Sequence, residues 1–198
     1  MVSPARWRTV AAASGLLAPD GEARPTIFAE MTALAAATGA ANLGQGFPDA
    51  DGPAWIREAA IEAIRTGHNQ YPPGRGIPAL RAAIAAHQSR HYGIDLDPDS
   101  EILVTAGATE AITAAVLALA GPGDEVLTLE PYYDSHAASI AMAGATHTTA
   151  PLVPSPDGFR LDIAALETAI TPRTRIILLN TPHNPTGAVL RPEEIAAL

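Results

Sequence analysis

Asn180-Thr181-Pro182-His183-Asn184-Pro185-Thr186-Gly187 sets two asparagine amides in a turn stiffened by two prolines and closed by a glycine. It directly follows Ile176-Ile177-Leu178-Leu179, an apolar run that reads as a buried strand of a parallel sheet. In open α/β sheets, ligands collect outside the carboxyl ends of the strands. A rigid amide-bearing turn at such an end can hold a polar substituent of a flat ring. The residues also read as a plain turn before a helix starting near Pro192, but the wording N-x-P-x-N-P-T-G is more specific than a turn requires.

Two further stretches could do chemistry of the same kind. Thr105-Ala106-Gly107-Ala108-Thr109 joins a strand to a helix. Backbone N–H groups at a helix start carry partial positive charge and suit a phosphate, small residues let it approach, and Thr109 adds a hydroxyl. No lysine follows, so this is not a nucleotide P-loop, and an ordinary strand–turn–helix join explains the turn equally well. Tyr132-Tyr133, after the next strand, could stack a flat ring or could simply be buried aromatics. Asp134, Ser135 and His136 do not make a triad: no G-x-S-x-G elbow is present, and triad members are rarely sequence neighbours. Asn42-Leu43-Gly44-Gln45-Gly46-Phe47-Pro48-Asp49 lacks the third glycine of a dinucleotide fingerprint; its glycines suit a close approach of ligand to backbone. The loop at 68–76 presents Tyr71 and Arg75, which could bind an anion or simply connect two helices.

The elements that position these residues follow from periodicity and punctuation. Helices are predicted over 28–38, from Pro53 to about Thr66, and from Pro78 to near Gly93. From Glu101 the pattern alternates: strand 102–105, a helix over 111–120 apolar nearly all round and hence buried, strand 125–129, helix 135–143, strand 146–152, a turn at 154–158, helix 161–170 and strand 175–179. That series implies an α/β fold with a mostly parallel sheet and right-handed crossovers.

Bulk composition narrows the chemistry. The 198 residues carry a net charge of −9, which argues against nucleic acid and against an anionic membrane surface. There is no cysteine, excluding disulfides, thiolate catalysis and cysteine metal sites. Six histidines show neither H-E-x-x-H nor a compact cluster, so no metal site is expected. No apolar run approaches the roughly 20 residues of a membrane span. Residues 1–25, with Arg6 and Arg8 before a short apolar run, read as a flexible leader, and a cytoplasmic protein is expected.

The motifs N-L-G-Q-G-F-P-D, N-Q-Y-P-P-G, V-T-A-G-A-T-E-A, G-D-E-V-L-T-L-E-P-Y-Y-D and N-T-P-H-N-P-T-G occur in this order between Asn42 and the end of the chain, about four-fifths of its length. The chain thereby resembles the fold-type I, pyridoxal-phosphate-dependent class I/II aminotransferases. The similarity is to the subgroup that includes kynurenine/glutamine transaminases and actinobacterial N-succinyldiaminopimelate aminotransferases. The resemblance implies the first half of the three-layer, aspartate aminotransferase-like fold. Residues 26–50 would form an N-terminal arm and part of the small domain, and 51–198 the first part of the large cofactor-binding domain. It also implies roles: Gly107, Ala108 and Thr109 at the cofactor phosphate, Tyr133 stacked on the pyridine ring, and Asn184 bonded to the ring hydroxyl oxygen. Gly46 would present its backbone to the substrate carboxylate, and Tyr71 would reach the phosphate of a neighbouring subunit in a homodimer. The implied substrates are an amino acid, with N-succinyl-diaminopimelate preferred, and a 2-oxo acid.

One part of the family's machinery is missing. These enzymes tether the cofactor through a lysine amine that also moves the substrate proton, and all 12 basic residues here are arginine. No catalytic residue is therefore assigned in this chain. The sequence is expected to be the first half of such an enzyme, from a truncated or split gene or a partial record. A non-catalytic remnant, one half of a two-chain enzyme and a carbon–sulfur β-lyase are the competing expectations. By the same resemblance, strand 102–105 would stand apart from the other three strands.

Overall fold

The computed structural model describes residues 6–198 except Phe47 and Asp49; the motif at 42–49 and the expected leader thus fall partly outside the described residues. The elements are α1 (Arg6–Ala13), α2 (Ile27–Thr38), α3 (Ala54–Arg65), α4 (Pro78–Tyr92), α5 (Ala108–Leu119), β1 (Glu125–Glu130), α6 (Asp134–Ala143), β2 (Thr146–Ser155), β3 (Gly158–Leu161), α7 (Ile163–Ala169), β4 (Thr174–Leu178) and α8 (Pro192–Ala196). They divide into two compact units, one of residues 1–29 with 108–198 and one of residues 30–107.

The first unit is built on a four-stranded sheet in the order β3-β2-β1-β4. β1 pairs in parallel with β2 and β4, and β3 runs antiparallel to β2. Successive side chains of a strand point to opposite faces, and β1 uses both. Leu127 and Leu129 join Ala150, Leu152, Leu161, Leu166 and Leu190 on one face. Val126 joins Val116 and Ile140 on the other, backed by Ile112 and Ile176. The first residue of β1 is pinned as well: the buried Glu125 carboxylate accepts hydrogen bonds from Thr171 Oγ1 at 2.6 Å and from the Arg173 guanidinium. Helix starts and stops obey local chemistry. Asp162 caps α7 by accepting from Ala165 N at 3.0 Å, and Gly144 ends α6 at φ 76°, a conformation that favours glycine.

Four expectations change in the first unit. The arginine-bearing start is helical from Arg6, and α1 packs on α6 rather than trailing as a flexible leader. Residues 158–161, read as the end of a turn and the start of a helix, form the edge strand β3, because the chain reverses at Pro156-Asp157 and pairs back onto β2. α5 begins three residues early and is not buried: only Val116 is, while Leu117 and Leu119 are 51% and 56% exposed, because one face alone meets α6 and β4. β4 is an edge strand, so Ile177, and Leu179 just past its end, stay partly open instead of buried on both sides.

In the second unit, the expected strand at 102–105 forms no ladder and is absent from the sheet. Arg75 explains its conformation: its guanidinium donates to the carbonyls of Asp99 and Ile102, and Val104 N donates to Arg75 O at 3.2 Å. Arg75 is thus engaged with backbone and is not the free anion contact that the sequence suggested. The buried Arg81 holds the same segment from α4, donating to Pro98 O and Asp99 Oδ1, both at 3.1 Å. Gly76, at φ 91°, lies so close to Val104 that a Cβ there would come within 2.5 Å of that side chain.

Candidate functional site

Two loops of the first unit, at the carboxyl ends of its parallel strands β1 and β4, and the first turn of α5 supply the candidate residues. After β1, the chain passes through Pro131 and Tyr132 to Tyr133, whose extended backbone precedes α6. After β4 comes the turn at 180–187, closed on itself by hydrogen bonds. Gly187 N donates to His183 O at 2.7 Å, His183 N to Ala188 O at 2.8 Å, and Leu190 N to Thr181 Oγ1 at 3.0 Å. His183 is buried and its Nδ1 meets Thr186 Oγ1 at 2.9 Å. These bonds hold the loop while Asn184 stays exposed on it. The third contribution is the start of α5, where Ala108 and Thr109 occupy the first turn.

These pieces converge. Ala108, Thr109, Tyr133 and Asn184 line one cavity of about 300 Å³, completed by Ile112, His136, Leu178, Leu179 and Asn180. Gly107, at φ 86°, is the last residue of the other unit and leads into α5. Gly46 and Tyr71 also belong to that unit and do not line this cavity. Gly46 is open, with nothing near the position a Cβ would take. Asn42 shapes its approach, its Oδ1 accepting from Gly44 N at 3.0 Å. The Tyr71 side chain is fully exposed.

His136 is the wall residue that sequence reasoning passed over. It stands three residues after Tyr133, on the first turn of α6, with the two rings edge to face and 6.0 Å apart. It is 3% exposed, and its Nδ1 is buried with no hydrogen-bond partner. Its signal was the i, i+3 spacing from Tyr133 across a helix start.

Burial pushes the His136 imidazole below its ordinary value, helped by nearby His183 and opposed by the Asp134 carboxylate. Burial does the same to His183, and to His147, whose Nε2 lies 2.8 Å from Thr128 Oγ1. The consequence for stability has a definite sign. The unfolded chain takes up protons first as pH falls through about 6.5. Stability is therefore full above that value and is lost below it. Glu125 and Glu194 are held low, by the Thr171 hydroxyl and by the Arg191 backbone N–H respectively, and lose their contribution only in more acid solution. The urea midpoint of the first unit is expected to drop between pH 7.5 and 5.5, and to drop less in His136→Gln; equal drops in both proteins would contradict this account.

The arrangement offers a hydroxyl at a helix start, an aromatic face and an amide around an apolar-floored cleft. That donor set suits a phosphorylated, flat, hydroxyl-bearing ring. Among the described residues, no group of three or more metal-binding side chains exists, and no helix is long and apolar enough to cross a membrane.

Known proteins share the sequence and the fold. A probable N-succinyldiaminopimelate aminotransferase of Mycobacterium tuberculosis is 61% identical over 173 residues, 87% of this chain and 44% of that protein. The methionine aminotransferase of Escherichia coli is 47% identical over the same shares. The solved N-succinyldiaminopimelate aminotransferase of M. tuberculosis superposes with a TM-score of 0.85 at 55% identity, over 99% of this chain and 48% of that one. The chain thus spans under half the length of these relatives. With the family profile of aminotransferase class I and II matching residues 38–198, the chain belongs to that family.

Proposed function

We propose that this chain supplies the phosphate, ring and hydroxyl contacts of a pyridoxal 5′-phosphate site. The enzyme it serves would move an amino group between an amino acid and a 2-oxo acid. The observation that carries this reading is the single cavity shared by Thr109, Tyr133 and Asn184, residues from three separate segments of the chain. When bound, the cofactor supplies an electron-withdrawing ring that accepts the electron pair left when a substrate Cα–H bond breaks.

Each residue has a task. Gly107, Ala108 and Thr109 receive the phosphate, with the helix start and the hydroxyl donating. Tyr133 covers one ring face, and the edge of His136 restricts its swing. Asn184 donates its amide to the ring hydroxyl oxygen, keeping the ring electron-poor. Gly46 offers an unobstructed backbone to the substrate carboxylate. Tyr71, fully exposed, reaches the phosphate of a second subunit in a homodimer. The cofactor-binding domain comprises 51–198, with 26–50 as an arm. The tethering amine is absent from these 198 residues, so catalysis draws it from residues outside this sequence. The substrate that the name of the 61% relative supports best is N-succinyl-diaminopimelate, and a cytoplasmic setting is part of the same proposal.

Substitution tests the assignment. A hydrogen bond to a charged group contributes about 1.5–3 kcal/mol, so Thr109→Val is expected to raise the Kd for pyridoxal 5′-phosphate roughly ten- to hundredfold. Asn184→Ala and Tyr133→Leu are expected to weaken it as well, and Tyr132→Phe to leave it unchanged. Equilibrium dialysis reads all four. Unaltered binding in the first three would refute the site.

A further inference from the structure

His87 and His91 lie outside that cleft, on α4 in the second unit. They are four residues apart on a 15-residue helix, so both side chains rise from one face, a turn apart. Both are exposed. Their ring centroids are 4.5 Å apart with the planes tilted by 43°. Two imidazoles bound to one tetrahedral zinc at about 2.0–2.1 Å hold their nitrogens about 3.3 Å apart, and rings this close reach that separation by side-chain rotation. Tyr92, its ring 5.9 Å from that of His87, walls one side. The pair occupies the last turns of α4, where the carbonyl end of the helix favours a cation. Arg90 is the opposing charge, and the first turn of the helix holds no acidic residue.

We propose that His87 and His91 form a two-nitrogen site for a borderline divalent transition metal, of the class of Zn²⁺, Ni²⁺ and Cu²⁺. Neutral imidazoles select these ions over Mg²⁺ and Ca²⁺, which require oxygen donors. Since no third protein ligand joins the pair among the described residues, water fills the remaining positions. The bound ion staples residue 87 to residue 91 and fixes the end of α4, where Gly93 turns the chain at φ 66°. The inference is independent of the proposed cofactor site.

Calorimetric titration of the full 198-residue chain with NiCl₂ tests it. One equivalent is expected to bind, with affinity falling at least about tenfold in His87→Gln and in His91→Gln; His68→Gln and MgCl₂ serve as controls, with unchanged nickel affinity in the first and no binding of the second. Nickel is also expected to raise the thermal midpoint of the unsubstituted chain and not of the two variants. Both side chains are exposed, so the variants should retain their far-UV circular dichroism. A second readout needs no substitution: substoichiometric Cu²⁺ should broaden the ring resonances of His87 and His91 before those of the other histidines. Absence of a first equivalent, undiminished affinity in both variants, or earlier broadening at another histidine would overturn the proposal.

Discussion

Purified by itself, the 198-residue chain is expected to self-associate at micromolar concentration and to bind a hydrophobic dye such as ANS. A folded monomer of 20.4 kDa exposes about 8,800 Å² by the usual scaling, whereas this chain exposes 13,516 Å². Large apolar side chains are among what it exposes. Trp55 and Ile64 on α3, Leu117 and Leu119 on α5, and Leu43 and Val189 in loops are all more than half exposed. β4 adds an open strand edge, a template for pairing. Covering about 400 Å² of apolar surface is worth about 10 kcal/mol gross, which is of the size of the freedom lost on association. Light scattering after size exclusion gives the mass directly. A dye-silent monomer with a cooperative melt would show that this surface needs no cover.

The second large effect is in the core beneath α7. Leu127 is 0% exposed and Leu166 1%, and both belong to the cluster that joins β1, β2, β3 and Leu190. Truncating either to alanine removes packing on every side and leaves a cavity, costing about 2–5 kcal/mol. Set against a usual total of about 5–15 kcal/mol, either change is expected to unfold a large part of the population. Leu117→Ala, on the bare side of α5, is expected to change stability by no more than about 0.5 kcal/mol. Pulse proteolysis in urea compares the three proteins even when they associate. Equal losses at Leu127 and Leu117 would place the core wrongly.

Much of the site was legible because its residues stand where βα punctuation says they must. Thr109, Tyr133 and Asn184 each follow an apolar run, at a helix start or within a proline-rich turn, and the fold brings those segments to one cavity. Positions two or more residues deeper were harder. His136 looked like a member of a rejected triad, because burial and the empty hydrogen bond at Nδ1 are properties of the packed helix and not of the letters. β3 was hidden because Pro154 and Pro156 announce a turn, while Phe159, Arg160 and Leu161 are too few to show alternation. The stretch 102–105 has the composition of a strand and, as expected, stands apart from the sheet; without a partner it forms no ladder, and Arg75 takes one of its carbonyls. α5 is apolar all round, which identifies a helix meant for two-sided cover without saying what covers its second side.

The central claim is that the start of α5 and two loops of the same unit close around one pyridoxal 5′-phosphate. Hydrogen–deuterium exchange with mass spectrometry, with and without that compound, tests it most directly, since it tolerates association and reports each segment separately. Slower exchange is predicted in peptides covering 108–113, 131–137 and 180–188 together, saturating along one binding curve. No slowing in these three, or slowing in one segment without the other two, would contradict the account.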